Sequence, residues 1–534
     1  MTIHLSIVLF MPLTAGLLGA FLGQRAARWL VFASTLGVLG YAIAMLVDFE
    51  SGSSGLQYVT DDSWIPELGI RYQLGVDGLN LFMVALTAVA WVPCTLVAVF
   101  REHHRSKLFF FNLALAETAV LGAFLAQDLA LFIVFFDLML VPFYFLIGGW
   151  GTGDRVRATT KFVIYTLSGS LLMLAGAIAL GVLATPADGE ISFSIATIAE
   201  RGVGEGTQQW IFCLFALAFL VKAPLFPLHG WVPETYRSSP IVVLALLSGV
   251  LSKVGVYGFL RIVLPTMPDA AQHFQDLMLV LAVFSILYGS VLAFSQDNAR
   301  MVVAYSSIAQ LGFIVLGIFS LDPKGAHGAV FQMLNHGLIT VPLFLLIGAV
   351  AARARGSESL AQLGGMARRA PVMAALFLIV ALATLAMPGS PNFAGEILVL
   401  FGTFEDKFVY GAVASVGVIL AAVYMIRVFQ RTMHNREGSG VVSRELSGVE
   451  IAAIAPITAV IVALGVYPHF FTERSEAGTV AKVQAAQVAA GTGVTILPYN
   501  VLAEQHDRTA APETGGAVLT RPTLVIRSSP GSAP

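Results

Sequence analysis

Seven ionisable residues stand inside long apolar stretches of this 534-residue sequence. They are Glu117, Asp137, Lys222, His229, Lys253, His336 and Glu396. A charged side chain at the centre of a bilayer costs at least about 2.5–3.5 kcal/mol, and such residues mark ion pathways and proton relays. Because carboxyl groups, lysines and histidines can hold and pass on protons, their placement predicts proton or ion movement across a membrane.

A lysine that faces a carboxyl group across two helices would give such a relay a switch. Burial favours the uncharged form of each group, whereas an opposite charge nearby favours the charged form. Moving the carboxyl group relative to the lysine would therefore make the lysine hold or release its proton. Each of the seven residues also has a structural interpretation, as a hydrogen-bonded or ion-paired core group, and this alternative stays open.

Proline-containing interruptions accompany two of these residues. Pro224 and Pro227 follow Lys222, and the stretch MPGSPNFAGEIL leads into Glu396. Proline removes a backbone donor and ends or kinks a helix. Broken helices at membrane depth line enclosed or water-filled cavities, and in transporters they mark binding sites. The pattern predicts that Lys222 and Glu396 lie at helix breaks inside the membrane.

The elements that carry these residues are predicted to be membrane helices. Hydrophobic residues make up 57% of the chain, charged residues 12%, and the mean hydropathy is +0.82. A soluble domain carries roughly 25% charged residues. Apolar runs long enough to cross a bilayer recur along the sequence, and they lack the alternation of β-barrel strands. The fold class is therefore an all-α polytopic membrane protein with about fourteen transmembrane helices.

The predicted spans are 2–22, 29–48, 77–100, 108–125, 128–149, 160–184, 208–228, 240–263, 274–295, 301–320, 327–351, 372–402, 408–430 and 449–470. Positive charge alternates between the connections, with eighteen Lys and Arg residues in odd-numbered ones and five in even-numbered ones. By the positive-inside rule the odd connections are cytoplasmic, so both termini lie on the periplasmic side. A composition rich in Ala, Val and Gly favours a bacterial plasma membrane.

Other classes of function find little support. A net charge of −2 offers no basic surface for nucleic acid. Cys94 and Cys213 are far apart and form no CxxC motif, which argues against an iron–sulfur or zinc site. No haem ligand set and no flavin or dinucleotide fingerprint occurs, so no cofactor is predicted in this chain. The first apolar run follows no basic segment, and we predict a first helix rather than a removed signal peptide.

Five stretches resemble the antiporter-like subunits of respiratory complex I. The general resemblance lies in KAPLFPLHGWVPETYRSSPIVVLALLSGVLSKVGVYGFLR (222–261), QDNARMVVAYSSIAQLGFI (296–314) and LGVDGLNLFMVAL (74–86). DLMLVPFYFLIGGWG (137–151) and MPGSPNFAGEILVLFGTF (387–404) resemble more narrowly the chain M branch, the homologues of mitochondrial subunit four. The resemblance extends from about residue 70 to residue 430.

The resemblance implies a fold of two inverted five-helix repeats, helices 4–8 and 9–13, in which helices 7 and 12 are broken. The prolines described above agree with both breaks. The implied segments are 1–107 with helices 1–3, 108–263 and 274–430 with the two repeats, 431–472 with helix 14, and a polar tail, 473–534.

The resemblance also implies a role for each residue that matches the family pattern. Lys222 is similar to the central lysine of helix 7, Lys253 to the connecting lysine of helix 8, and His336 to the relay histidine of helix 11. Glu396 resembles the helix-12 carboxylate that is typical of chain M, and Glu117 matches a glutamate of helix 4.

Two positions depart from that pattern. Asp137 stands where the family usually has glutamate, so its pairing with Lys222 must be closer, shifted or bridged by water. Gln310 stands where related chains often have histidine. Glutamine cannot titrate, although it can orient a water molecule.

The function that the resemblance implies is that of a proton-translocating subunit of NADH:quinone oxidoreductase, an enzyme subunit with no redox site of its own. Protons would move from the cytoplasm toward Lys222, then through Lys253 and His336, and leave near Glu396. FMN, iron–sulfur clusters and quinone are expected in partner subunits, and the partners are other membrane subunits, above all the two paralogous antiporter-like chains, together with lipids. The alternatives are a subunit of a sodium/proton antiporter, a subunit of a membrane-bound hydrogenase, and a purely structural role.

Overall fold

A computed structural model describes residues 4–187, 189–438 and 440–489, so the predicted tail beyond residue 489 lies outside the described residues. The long apolar runs form helices, because a helix satisfies its own backbone polar groups where water is absent. The main helices are α1 (Leu5–Phe21), α2 (Gln24–Asp48), α3 (Leu81–Val99), α4 (Ser106–Leu125), α5 (Leu129–Trp150), α6 (Arg155–Leu183), α7 (Glu205–Lys222), α8 (Ile241–Thr266), α9 (Gln275–Ser295), α10 (Ala299–Phe319), α11 (Pro323–Arg353), α12a (Pro371–Thr384), α12b (Pro391–Asp406), α13 (Phe408–Met433), α14 (Gly448–Val466) and α15 (His469–Ala489).

Eleven helices of the described residues are long and apolar enough to cross a membrane: α2–α6, α8–α11, α13 and α14. Helices α1 and α12a are apolar but shorter. Short helical turns cover Pro66–Leu68, Ile195–Arg201, Leu228–Trp231, Val232–Ser238, Pro268–His273 and Met366–Arg368. The prediction of a mostly helical, polytopic membrane protein is therefore confirmed.

The connection between α2 and α3 contains a β-hairpin that the all-α prediction missed. Strand β1 (Gln57–Ile65) pairs with β2 (Ile70–Val76) in antiparallel register, with Thr60 opposite Leu74. Gly69 turns the chain at a φ of 65°, where a side chain would also collide with the Ile191 carbonyl. Strands were excluded for the long apolar runs, and this hairpin lies in the polar connection between them.

Both predicted helix breaks are present. Helix α7 ends at Lys222, and the chain continues through Pro224 and Pro227 into the turn Leu228–Trp231. Helix α12a ends at Thr384, and α12b begins at Pro391. Proline cannot continue either helix, and side chains bond to backbone carbonyls at the breaks. Trp231 Nε1 donates to the Val221 carbonyl at 3.0 Å, and Asn392 Nδ2 donates to the Thr384 carbonyl at 3.4 Å.

Helix α8 has an irregularity that the sequence did not predict. Its α-helical centre, Ser252–Gly258, lies between two π-helical turns, Leu247–Leu251 and Phe259–Val263. Such wide turns are rare and occur frequently at functional sites. Lys253 sits at the start of the central segment, directly after the first π-turn.

The most enclosed helices are α8, α10 and α11. In the most apolar stretch of each helix, 100% of the residues of α8 and 94% of those of α10 and α11 are buried. The corresponding share is 33% for α2, α13 and α14. The outer helices expose apolar side chains such as Val47 (79% exposed) and Ile419 (66% exposed), which suits contact with lipid. Polar groups on α8, α10 and α11 are therefore held away from the lipid by protein.

Helix α15 packs back onto α11, α3 and the end of α8. The Phe471 ring stacks on Phe331 with ring centres 4.3 Å apart, and the Ser475 hydroxyl lies 2.9 Å from His327 Nε2. Lys482 Nζ donates to Asp77 Oδ2 at 3.0 Å. The first part of the predicted polar tail is thus an ordered helix fixed to the helical core.

Candidate functional site

Lys222 lies at the carboxyl end of α7, where the helix dipole favours a cation. Its side chain is buried, with only 3% exposed. The ammonium donates to the Phe136 carbonyl at 3.4 Å and lies 4.5 Å from the centre of the Phe136 ring, within range of a cation–π interaction. Lys222 therefore docks on the turn of α5 that also carries Asp137.

Asp137 does not form a direct ion pair with Lys222. The two groups act on each other electrostatically, and the Asp137 carboxyl also interacts with the Ser170 hydroxyl. One carboxyl oxygen, Oδ1, is buried without a hydrogen-bond donor among the described residues. The shorter aspartate is thus not compensated by a closer approach to the lysine, and the pair is held apart.

Lys253 and His336 are in direct contact between α8 and α11. Lys253 Nζ lies 2.8 Å from His336 Nδ1, and it donates to the Ser248 carbonyl at 2.6 Å and to the Ser252 hydroxyl at 3.4 Å. These three acceptors match the three protons of an ammonium group when His336 carries its proton on Nε2. The imidazole can also hold the proton on Nδ1 and donate it to a neutral amine. One contact therefore fits two proton positions.

Two glycines bring α8 and α11 close enough for this contact. A Cβ on Gly337 would lie 2.6 Å from the Gly249 carbonyl, and a Cβ on Gly249 would lie 2.7 Å from the Val341 side chain. Small residues allow helix backbones to approach closely in membranes. Gly337 follows His336 in sequence, so the close packing and the contact belong to the same turn of α11.

Glu396 sits in a three-helix cluster of polar side chains. Its Oε1 accepts hydrogen bonds from Gln310 Nε2 at 2.9 Å and from Gln332 Nε2 at 3.4 Å. Gln332 Nε2 also donates to Gln310 Oε1 at 2.6 Å. Gly395 leaves the room for this amide, because a Cβ there would lie 2.5 Å from Gln332 Oε1. Gln310 therefore holds the Glu396 carboxyl directly.

Gln332 is a site residue that sequence reasoning missed. It lies one helical turn before His336 on α11, and so connects the histidine's helix with Glu396. The sequence carried a signal, since QMLNHG places Gln332, Asn335 and His336 on neighbouring positions of one helix face. An uncharged amide such as Gln332 costs less in an apolar helix than a charge does, so its presence alone did not mark it.

Glu117 and His229 stand apart from these contacts. Glu117 on α4 is fully buried, and both of its carboxyl oxygens are without a donor among the described residues. His229 lies in the turn after the α7 break, with its ring 5.2 Å from that of Tyr288 and its Nδ1 without a partner among those residues. The structure thus supports their burial but does not join them to Lys222.

A second buried charge cluster lies where α3, α8 and α15 meet. Arg261 donates to both Asp77 oxygens at 2.7 and 2.8 Å, and to the Tyr257 hydroxyl and Gln127 Oε1. Burial alone would raise the pKa of Asp77, but Arg261 and Lys482 hold it well below its usual range. Arg261 is one of the five positive charges assigned above to the even-numbered connections and their helix ends, whereas the structure buries it, with 4% exposed, and pairs it with Asp77.

Comparison with known proteins places the chain in a family. A family model described as NADH:quinone oxidoreductase/Mrp antiporter, transmembrane, matches residues 126–425. Subunit M of the NADH-quinone oxidoreductase of Rhodobacter capsulatus is 34% identical over 486 residues, covering 88% of this chain and 94% of the relative. The chain belongs to the antiporter-like subunits of NADH-quinone oxidoreductase. Subunit M of Mycobacterium tuberculosis is 36% identical over 505 residues, which cover 87% and 91% of the two chains.

Solved structures agree with this assignment to the antiporter-like subunits. A chain of respiratory complex I from Thermus thermophilus superimposes with a TM-score of 0.83 at 30% identity, covering 90% of this chain and 99% of that one. A chain of the Mrp complex from Dietzia sp. DQ12-45-1b gives a TM-score of 0.79 at 22% identity, over 92% and 100% of the two chains, which shows a shared fold. The family recognised from the sequence is therefore confirmed.

Proposed function

We propose that this antiporter-like subunit translocates protons as part of a bacterial NADH-quinone oxidoreductase. The observation that carries the proposal is the contact of 2.8 Å between Lys253 Nζ and His336 Nδ1 on two enclosed helices. A lysine and a histidine in contact can exchange a proton, and a purely structural role gives no reason to bury both. The family membership supports the same activity.

The relay would begin at Lys222. Its ammonium is held by the Phe136 carbonyl and the Phe136 ring. It interacts electrostatically with the Asp137 carboxylate but forms no direct ion pair with it. A small shift of α5 against α7 would therefore change the field at the lysine without breaking a direct ion pair. That shift would be driven from neighbouring membrane subunits, and it would make Lys222 take up or release its proton.

The proton would next reach Lys253 and His336, and then the Glu396 cluster. Movement between Lys253 and His336 needs only a shift along their contact. Gln310 and Gln332 hold the Glu396 carboxyl, and the Oε1 of Gln332 is a buried acceptor that a water molecule can satisfy. Glu117 and His229 would be accessory groups at the margin of the path. The proton would leave from Glu396.

The number of helices, their repeats, the orientation in the membrane and the partner subunits belong to the same proposal. We propose fourteen transmembrane helices with inverted repeats at 108–263 and 274–430, both termini on the periplasmic side of the plasma membrane, and the two paralogous antiporter-like chains as partners. FMN, iron–sulfur clusters and the quinone site would lie in other subunits. This chain would contribute proton movement and no redox group of its own.

Sodium/proton antiport is the second candidate, because the family description and the Mrp likeness include antiporters. Proton uptake driven by NADH in sodium-free inverted vesicles distinguishes the two functions. Uptake that persists without sodium supports the proposal. Uptake that requires sodium, or that is independent of NADH oxidation, favours the antiporter.

Lys222→Met tests the start of the relay in the assembled complex. Inverted vesicles should lose both NADH-driven proton uptake and quinone reduction, with the complex still assembled on immunoblots. Lys324→Met is the control, since Lys324 pairs with Glu405 at the exposed surface. Loss of proton uptake alone would support a relay through Lys222 that is only loosely coupled to electron transfer. Full retention of both activities would contradict a relay through Lys222.

A further inference from the structure

A basic cleft lies outside the proposed relay, between the end of α3 and the start of α14. It has a volume of about 310 Å³. Its lining includes Phe100, Arg101, Arg353, Arg444 and Glu450. These residues belong to the connections that the sequence predicts to lie on the arginine-rich side of the membrane. Three guanidinium groups around one small cleft raise the question of what neutralises them.

One of the three arginines is neutralised within the protein. Arg353 is buried and pairs with Glu450 at 2.9 Å, and it donates to the Arg444 and Glu445 carbonyls at 2.7 Å each. The Glu445 carboxylate is also occupied, because it accepts backbone N–H groups at the start of α12a at 2.8 and 3.0 Å. Glu450 is thus paired with Arg353, whereas Glu445 keeps its negative charge but directs its oxygens to backbone N–H groups, and neither carboxylate bonds to Arg101 or Arg444.

The other two arginines remain available. Among the described residues, the guanidinium groups of Arg101 and Arg444 have no hydrogen bond or ion pair. Arg101 does interact electrostatically with Glu450. Glu102, the next residue in the chain, is exposed. Three arginines against two glutamates leave the lining of the cleft with one excess positive charge.

Arg28 adds a further positive charge beside the end of α3. Its Nη1 donates to the Val99 carbonyl at 3.1 Å, while its Nε is buried without a partner among the described residues. Burial together with the charges of Arg101 and Arg28 lowers the pKa of His103, so both guanidinium groups reach the same loop. The positive charge around the cleft is concentrated by the fold.

The rim of the cleft has the character of a membrane interface. Phe100 is 56% exposed and packs edge to face on Trp29, which is itself 43% exposed, with ring centres 5.7 Å apart. Exposed aromatic rings are enriched at the level of lipid headgroups. The outer face of α2 beyond Trp29 exposes apolar side chains such as Leu36 and Ile43. A ligand with an anionic head and apolar tails fits this combination.

We propose that this cleft binds the phosphate headgroup of an anionic lipid, with Arg101 and Arg444 as its ligands and the acyl chains along the exposed apolar face of α2. The planar fork of arginine matches two phosphate oxygens, and basic pockets between transmembrane helices bind anionic headgroups. A free phosphate would use the two arginines but not the aromatic rim. The rim therefore favours a lipid over a soluble phosphate.

The test measures lipid binding to the purified, assembled and delipidated complex. Native mass spectrometry would follow phosphatidylglycerol binding to the wild type and to the Arg101→Gln/Arg444→Gln variant. Each arginine near an anionic headgroup contributes about a factor of five, so the double variant should bind the tightest lipid about 30-fold more weakly. Arg101→Lys/Arg444→Lys keeps the charge and should recover part of the affinity, which separates binding from misfolding.

Arg368→Gln/Arg369→Gln is the matched control, because both residues are exposed on the same predicted side and lie outside the cleft lining. The control should bind lipid as the wild type does. Equal affinity in the cleft variant and the wild type would overturn the proposal, as would an equal loss in the control. Displacement of the lipid by millimolar inorganic phosphate would assign the cleft to soluble phosphate instead. Since the readout is lipid mass, the result does not depend on proton translocation.

Discussion

At the scale of single residues, the site combines charged groups with uncharged amides that fix them. Lys253 and His336 share one contact, and Gln310 and Gln332 hold Glu396. A buried carboxyl with no donor is costly, so the amides make the position of Glu396 definite. The proposed site is therefore made of positioned groups rather than of charges alone.

Replacing Gln332 tests the role of these amides. Gln332→Leu leaves the Gln310 carbonyl oxygen without its donor, which costs about 1–3 kcal/mol and frees Gln310 to turn away from Glu396. We expect a several-fold slower NADH-driven proton uptake and a shifted pH profile of uptake. Gln362→Leu, at an exposed amide, is the control. An unchanged pH profile with lowered thermal stability would reduce Gln332 to a structural role.

At position 137 the charge of the side chain should matter more than its length. Asp137→Asn removes the charge that acts on Lys222 and should slow proton uptake about tenfold, the effect of ~1.4 kcal/mol. Asp137→Glu keeps the charge, so its uptake should stay within about twofold of the wild type. The check is uptake in inverted vesicles with equal amounts of assembled complex. If the asparagine variant were as active as the wild type, Asp137 would have no part in the switch.

Sequence reasoning reached most of the charged residues of the site because their cost in a membrane makes them conspicuous. It placed Lys222 and Glu396 at helix breaks, and its resemblance brought Lys253 and His336 together. It missed Gln332 because amides are common in cores. It also missed the ion pair of Asp77 with Arg261, since the two residues are far apart in sequence and each stands near the end of a span, where charges normally face water.

At the scale of elements, close helix packing sets the geometry of the proposed relay. Helices α8 and α11 meet at Gly249 and Gly337, and α8 widens into π-turns on both sides of Lys253. Neither feature follows from hydropathy. A hydropathy value does not show whether a glycine allows two helices to pack closely or simply occupies a position where other residues would also fit. The breaks at α7 and α12 were predictable because proline acts locally.

Gly337→Ala tests whether this close approach positions Lys253. The added methyl group would lie 2.6 Å from the Gly249 carbonyl, so α8 and α11 must separate, which typically costs about 1–3 kcal/mol. We expect faster thermal inactivation of the solubilised complex and slower proton uptake. Gly40→Ala is the control, because nothing lies within 4 Å of a Cβ there and alanine favours a helix. Equal behaviour of the two variants would contradict the account.

Helix α15 should remain attached to the core over a wide range of pH. Because the folded pKa of Asp77 lies below its unfolded value of about 3.9, the ion pairs contribute stability above that value and lose it only as pH falls through the lower folded pKa. Hydrogen exchange of α15, corrected for intrinsic rates, should be equally slow at pH 5 and pH 8. Asp77→Asn should release the helix, because it leaves Arg261 buried without a counter-charge. Detachment at pH 5 in the wild type would show that other groups hold the helix.

At the scale of the whole molecule, hydropathy and charge alternation predicted a polytopic helical membrane protein. The family match confirms that the chain is an antiporter-like membrane subunit. The hairpin β1–β2 and the docking of α15 were out of reach, because both depend on contacts with distant segments rather than on apolar length. The enclosed helices α8, α10 and α11 keep polar groups away from lipid, while the outer helices meet it. This division would allow the proposed proton movement inside a protein whose outer helices expose apolar side chains.

The central claim is that Lys253 and His336 act as one unit in proton transfer. A double-mutant cycle with Lys253→Met, His336→Leu and both together measures this directly, as NADH-driven proton uptake per assembled complex. Groups that act as a unit are strongly non-additive, so the double variant should be no slower than the slower single variant. Wild-type uptake in either single variant, or losses that multiply in the double variant, would contradict the account.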